Sequence, residues 1–228
     1  MSAATCRGYF VTGTDTGVGK TLVSAALLRR FASTGARVAG MKPVASGAIA
    51  TAAGLRNDDA LILSGESSTR FAYELTNPCA YGPAIAPHLA AAAAGDPVDF
   101  AMIDSAYRQI ADHSDIIIVE GVGGWAVPLG EDRDVADLAA LLGLPVILVV
   151  GLKLGCLNHA RLTAAAITAA AMPLAGWIGS GIDPAFVAAA ENVATLKALL
   201  PAPCLGIIPP LLPPEVRAAA LCLELGRL

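Results

Sequence analysis

Gly13-Thr14-Asp15-Thr16-Gly17-Val18-Gly19-Lys20-Thr21 decides how this chain reads. An apolar run at residues 9–12 precedes it and a helix-forming stretch at residues 20–33 follows it. In such a strand–loop–helix unit the loop's backbone N–H groups point inward and cradle phosphate oxygens. The helix N-terminus adds a field that favours anions. Lys20 can reach the β- and γ-phosphates, and the Thr21 hydroxyl can ligate Mg²⁺. One feature departs from the pattern G-x-x-x-x-G-K-[ST], which wants glycine at Thr14; here it comes one residue earlier, at Gly13. A glycine-rich turn capping a helix would share the glycines. It would not require strand, loop, lysine, threonine and helix in that order.

Outward from the loop, further apolar runs at residues 37–42, 116–120, 146–150, 174–178 and 204–208 alternate with helical stretches at 97–113, 134–142, 157–171 and 185–200. This rhythm predicts a three-layer α/β fold, a mostly parallel sheet with helices on both faces. Ligands on such sheets bind beyond the carboxyl ends of the strands. With no repeat or linker, residues 1–228 read as one nucleotide-binding catalytic domain, and the proline-rich stretch 209–214 as a loop.

Composition narrows the function. Hydrophobic residues make up 55% and charged residues 15%, with much of the apolar excess in alanine. The longest apolar candidate, residues 138–152, is broken by Gly143, Pro145 and Gly151, so no membrane span is expected. A net charge of −4 offers no general attraction to nucleic acid or anionic membrane. The N-terminal residues lack a basic start and apolar stretch, which argues against a secretion signal. The five cysteines are scattered and form no C-x-x-C pair, as expected of reduced thiols in the cytoplasm.

Three further positions bear on chemistry. Glu120 ends the β-branched run that starts after Asp115, where phosphate-loop enzymes place an acid that holds Mg²⁺ directly or through water. Gly121, Val122, Gly123 and Gly124 follow it as a turn that lets a ligand approach the backbone. Asp58 and Asp59 fit either a helix N-cap or a metal ligand. Lys42 ends the second apolar run, and Pro43 keeps it extended. There it would be a second cation beside a transferring phosphate. His88 suggests nothing beyond packing or capping.

Together these segments resemble the dethiobiotin synthetase family. The resemblance rests on residues 9–21, Lys42-Pro-Val-Ala-Ser-Gly47, Gly54-Leu-Arg-Asn57 with Asp59, Val119-Glu-Gly-Val-Gly-Gly-Trp125, Leu144-Pro-Val-Ile-Leu-Val-Val-Gly151 and Lys153-Leu-Gly-Cys-Leu-Asn-His159, all in the family's order. It implies an ATP- and Mg²⁺-dependent ring closure of 7,8-diaminopelargonic acid with CO₂ or bicarbonate. It also implies nucleotide contacts from Gly17, Val18, Gly19, Lys20, Thr21 and Leu22. Thr21, Asp59 and Glu120 would hold the metal. Lys42 would be the main catalytic residue, with Lys20 assisting, and Thr16 and Ser46 would touch the diamine. The family is homodimeric, with Gly155, Cys156, Leu157 and Asn158 receiving the substrate carboxylate at a helix N-terminus across the interface. A plain helix start is the alternative reading of those four residues.

The chain departs from the family at Gly17, where some members carry an acid, and at Ser180-Gly181, where some members read adenine with asparagine and aspartate. Ser180, Gly181, Pro209, Pro210 and Leu211 are left as the candidate base contacts, and CTP or GTP joins ATP as a candidate nucleotide. The competing reading is a partitioning or positioning ATPase of the same fold, which would carry lysine in place of Asp15. A biosynthetic amidotransferase would need a further glutaminase domain.

Overall fold

The computed structural model describes residues 6–228; most of the N-terminal segment read for a secretion signal lies outside them. In chain order the elements are β1 (Arg7–Gly13), α1 (Lys20–Ala32), β2 (Val38–Met41), β3 (Val44–Ser46), β4 (Ile49–Thr51), β5 (Gly54–Arg56), α2 (Asp58–Glu66), α3 (Tyr73–Thr76), β6 (Cys79–Tyr81), α4 (Pro87–Ala94), α5 (Phe100–Ala111), β7 (Ile116–Glu120), α6 (Val135–Leu142), β8 (Val146–Gly151), α7 (Cys156–Ala169), β9 (Leu174–Ser180), α8 (Ala189–Leu199), β10 (Cys204–Ile208) and α9 (Val216–Leu221).

Six strands form one sheet in the order β10-β9-β8-β1-β7-β2, and every pairing in it is parallel. β7 and β8 are buried at every position, so both pleat faces need apolar side chains. Ile116 and Ile118 join Tyr9 and Val11 in a layer with α1 and α9. Ile117 and Val119 join Phe10 in the opposite layer, beneath α4, α5 and α6. Leu148, Val150 and Trp177 continue that second face under α7 and α8.

Element ends differ from the sequence expectation for local reasons. The helix expected over 97–113 starts only at Phe100, because Asp99 caps it, accepting from Ala101 N (2.9 Å) and Met102 N (3.0 Å). The helix expected over 185–200 starts at Ala189; Asp183 accepts from Ala185 N (2.9 Å) and holds a turn there instead. The strand expected to stop at 178 runs on to Ser180, which brings Ser180 to the site. The short β3–β6 pair, the β4–β5 hairpin and the helices α3, α4 and α9 were not anticipated, and α2 only through the N-cap reading of Asp58 and Asp59. Among the described residues no helix is long and apolar enough to cross a membrane.

Candidate active site

The site lies where the sheet's parallel strands release their chains at the carboxyl edge. β1 leads into the loop of residues 14–19, which turns into α1 at Gly19. Gly19 has φ +86 and offers no side-chain cap, so the first N–H groups of α1 are left to a ligand. A Cβ on Gly19 would lie 2.6 Å from Ser180 Oγ, so a side chain there would turn the Ser180 hydroxyl aside as well as strain the left-handed backbone.

Lys20 folds back beneath the loop. Its Nζ donates to Asp15 O (3.0 Å) and Gly123 O (2.5 Å). Burial first, and then the neighbouring Lys42, pull its ammonium down to about 8 against the opposing pull of Glu120, Asp59 and Asp15. Thr21, one residue on, donates its hydroxyl to Glu120 Oε1 at 3.0 Å.

Lys42 leaves the end of β2. Its N–H donates to Thr76 O (2.8 Å), and its carbonyl accepts from Asn77 Nδ2 (2.6 Å). Lys42 Nζ reaches Glu120 Oε1 at 2.6 Å, Gly121 O at 3.1 Å and Asp59 Oδ2 at 3.1 Å. Burial of the ammonium pulls Lys42 down, but Glu120 and Asp59 outweigh it and hold the group above the ordinary lysine value. Glu120 is wholly buried at the end of β7, and its Oε2 has no hydrogen-bond partner among the described residues. Asp59 is held below the ordinary carboxylate value: its burial opposes this, but Lys42 and the Thr21 hydroxyl prevail.

The choice left open for Asp58 and Asp59 is resolved locally. Asn57 is the cap of α2, accepting from Ala60 N at 3.2 Å. Asp59 is thereby free to face Lys42.

Sequence reasoning missed the network that fixes these residues. Tyr73 OH accepts from Asn57 N (2.7 Å) and donates to Asn77 Oδ1 (2.9 Å), so one chain of hydrogen bonds joins the start of α2 to the Lys42 backbone. Asn77 precedes Pro78, a turn signature that said nothing of its partner.

The remaining candidates surround this cluster. Thr16 N donates to Asp15 Oδ1 (2.7 Å), and Ser46 ends β3 with its carbonyl 3.5 Å from Asn57 Nδ2. Val122 and Gly123 continue from β7, with Gly123 O on Lys20. A Cβ on Gly181 would meet Pro210 at 2.7 Å, so Gly181 and the 209–210 backbone form one wall. Leu22 and Leu211 pack on the α1 layer beside it. Gly155, with φ +93 and no side-chain cap, opens α7, and Cys156 is buried while Asn158 is exposed. Lys153, just before α7, pairs with Asp15 at 3.4 Å and so joins that loop to the phosphate loop. Ser180 lies against Gly19 and Gly181 against Pro210, and serine and glycine carry no side-chain amide.

An anion cradle, two buried ammonium groups and two carboxylates are thus held together, as a phosphoryl-transfer site requires. A family model described as an AAA domain, a phosphate-loop family, matches residues 7–215. The ATP-dependent dethiobiotin synthetase BioD of Pseudomonas paraeruginosa is 53% identical over 218 residues, covering 95% of this chain and 96% of that protein. The protein of the same name from Chromohalobacter salexigens is 52% identical, covering 93% and 94%.

The chain belongs to the ATP-dependent dethiobiotin synthetases.

Solved structures share the fold of this synthetase at low identity. The MinD cell division protein of Aquifex aeolicus superposes with a TM-score of 0.57 at 15% identity, covering 95% of this chain and 86% of that one. The signal recognition particle receptor FtsY of Elizabethkingia anophelis gives 0.53 at 17%, and this chain spans 64% of its length. The three-layer parallel architecture expected of the synthetase is therefore that of phosphate-loop NTPases.

Proposed function

We propose that this chain catalyses the ATP-dependent closure of the ureido ring of dethiobiotin from 7,8-diaminopelargonic acid and CO₂, as one catalytic unit in the cytoplasm. The observation that carries the reading is Lys42, buried between Glu120 and Asp59 and next to Lys20, in a chain 53% identical to a dethiobiotin synthetase. One substrate amine takes up CO₂ as a carbamate. A carbamate is a poor electrophile, so an oxygen of it accepts the γ-phosphoryl group and becomes a carbamic–phosphoric mixed anhydride. The second amine then attacks the carbonyl carbon, the C–O bond to phosphate breaks, and the ring closes with release of phosphate and ADP.

Each residue has a role in this sequence. Gly17, Val18, Gly19, Lys20, Thr21 and Leu22 bind the phosphates through the loop and the start of α1. Lys42 and Lys20 neutralise charge on the carbamate and the transferring phosphoryl group, where preorganised cations act most strongly. Thr16 and Ser46 orient the diamine. Gly155, Cys156, Leu157 and Asn158 take the substrate carboxylate at the start of α7 of a second copy in a homodimer.

The residues fit Mg²⁺. The buried, unpartnered Glu120 Oε2, the Thr21 hydroxyl and the Asp59 carboxylate are hard oxygen donors, and Mg²⁺ takes one or two carboxylates with phosphate oxygens and water. When bound, the ion neutralises charge on the β- and γ-phosphate oxygens. The base rests against Gly181, Pro209, Pro210 and Leu211 without a side-chain amide, so CTP and GTP serve beside ATP. Purified protein incubated with ATP, Mg²⁺, bicarbonate and the diamine should form dethiobiotin and phosphate in equal amounts. Phosphate release that ignores the diamine would overturn the reading.

A further inference from the structure

We propose that Lys42 is also an internal cation that fills the divalent-metal pocket of the nucleotide-free protein, so that metal enters only together with nucleotide. The inference rests on the metal reading above and adds an order of binding to it.

Three observations carry it. Lys42 Nζ lies 2.6 Å from Glu120 Oε1 and 3.1 Å from Asp59 Oδ2, the two carboxylates that would hold the ion. The Thr21 hydroxyl converges on the same Glu120 oxygen at 3.0 Å. Glu120 is wholly buried and Lys42 is 3% exposed, so a second cation placed against Glu120 is poorly screened, although Asp59 opens to solvent on its far side.

Charge decides the outcome. Lys20 and Lys42 balance Asp59 and Glu120, which leaves the pocket neutral. A divalent ion arriving alone would bind the oxygens at about 2.0–2.1 Å and leave two uncompensated positive charges in a buried space beside an ammonium already on those oxygens. A triphosphate brings negative charge that compensates the ion. It also gives the Lys42 ammonium an alternative partner at the transferring phosphoryl group. The neutral pocket thus rejects free metal and accepts the metal–nucleotide pair.

Mn²⁺ retained by the full-length protein on equilibrium dialysis tests this. Wild type without nucleotide should bind Mn²⁺ at least about tenfold more weakly than wild type saturated with ADP. Lys42→Met, which keeps the stem and removes the charge, should gain at least about tenfold in nucleotide-free affinity. Lys42→Arg should behave as wild type, and Lys42→Met/Glu120→Gln should lose the gain. Wild type that binds Mn²⁺ equally well with and without ADP overturns the inference and leaves the metal site standing, and that arm needs no variant to fold. A Lys42→Met protein without the gain overturns it too. Weak binding in both states of wild type overturns the metal assignment and this inference with it.

Discussion

Replacing Gly19 by alanine tests the phosphate loop through a contact whose cost can be worked out. Gly19 has φ +86, and a Cβ there would stand 2.6 Å from Ser180 Oγ but 3.6 Å from Ser180 Cβ. The left-handed conformation costs a residue with a Cβ about 1–2 kcal/mol. Turning the Ser180 hydroxyl out of its well adds about 0.5–1.5 kcal/mol. A total of about 1.5–3.5 kcal/mol lowers the weight of the binding-competent loop roughly 10- to 400-fold. Calorimetric titration with ADP should show Gly19→Ala weaker by that factor. Ser180→Ala removes the hydroxyl and keeps only the ordinary 3.6 Å contact, so the double variant should recover about two- to tenfold. Gly35, with φ +88 and nothing within 4 Å, supplies the control: Gly35→Ala measures the backbone cost alone, in urea unfolding. ADP binding by Gly19→Ala within about threefold of wild type, or no recovery in the double variant, would refute the reasoning.

Further outcomes follow from the charges. Lys42→Ala strands the buried Glu120 carboxylate, so it should lose on the order of 3–5 kcal/mol of stability in urea without Mg²⁺ as well as most turnover; unchanged stability would contradict the pairing. Glu120→Gln should raise the Mg²⁺ concentration needed for half-maximal turnover, and an unchanged titration would remove Glu120 from the metal site. Lys20, pulled from 10.5 to about 8, binds fewer protons folded than unfolded between those values, so its penalty is full below about pH 8 and relieved as pH rises toward 10.5. Wild type should therefore gain on the order of 3 kcal/mol relative to Lys20→Met across that window in urea unfolding, and parallel curves would refute the shift. The kcat/KM values for ATP, CTP and GTP should lie within about a hundredfold of one another, and a larger preference for ATP would show that backbone alone reads adenine at Gly181.

How much of this was legible in the sequence depended on how local the physics was. β7 was read to the residue because a doubly buried strand needs an unbroken β-branched run, and Ile116–Glu120 is one. Lys20 and Thr21 were nominated by the spacing of the phosphate loop, and Lys42 and Glu120 by their places at strand ends, which the fold brings to one edge. Asp59 remained ambiguous because an aspartate there suits a helix N-cap as well as a metal; the Asn57–Ala60 bond gives the cap to Asn57. Tyr73 and Asn77 bond each other four positions apart, but their links to Asn57 and Lys42 span 16 and 35 positions, separations that no spacing rule covers. Ser180 was sought as a base reader, but its contact with Gly19 spans 161 positions and depends on the register of β9.

The same scaffold carries the MinD cell division protein of Aquifex aeolicus at 15% identity, so the fold by itself does not fix the function. Asp15 bears on that question. It stands in the phosphate loop where the partitioning ATPases are expected to carry lysine, and an acid beside phosphates repels them unless it is neutralised. Here Asp15 Oδ1 accepts from Thr16 N at 2.7 Å and Oδ2 faces Lys153 Nζ at 3.4 Å. Both side chains are substantially exposed, so the pair adds little to stability. Its effect is on sign: the loop acquires no surplus cation to offer elsewhere, and its positive charge is kept inside the chain on Lys20 and Lys42. Those two groups are buried and directed at the carbonyls and carboxylates beyond β1 and β7, where they would meet negative charge on a bound small molecule. That arrangement suits chemistry on a bound small molecule better than a nucleotide switch read by another protein.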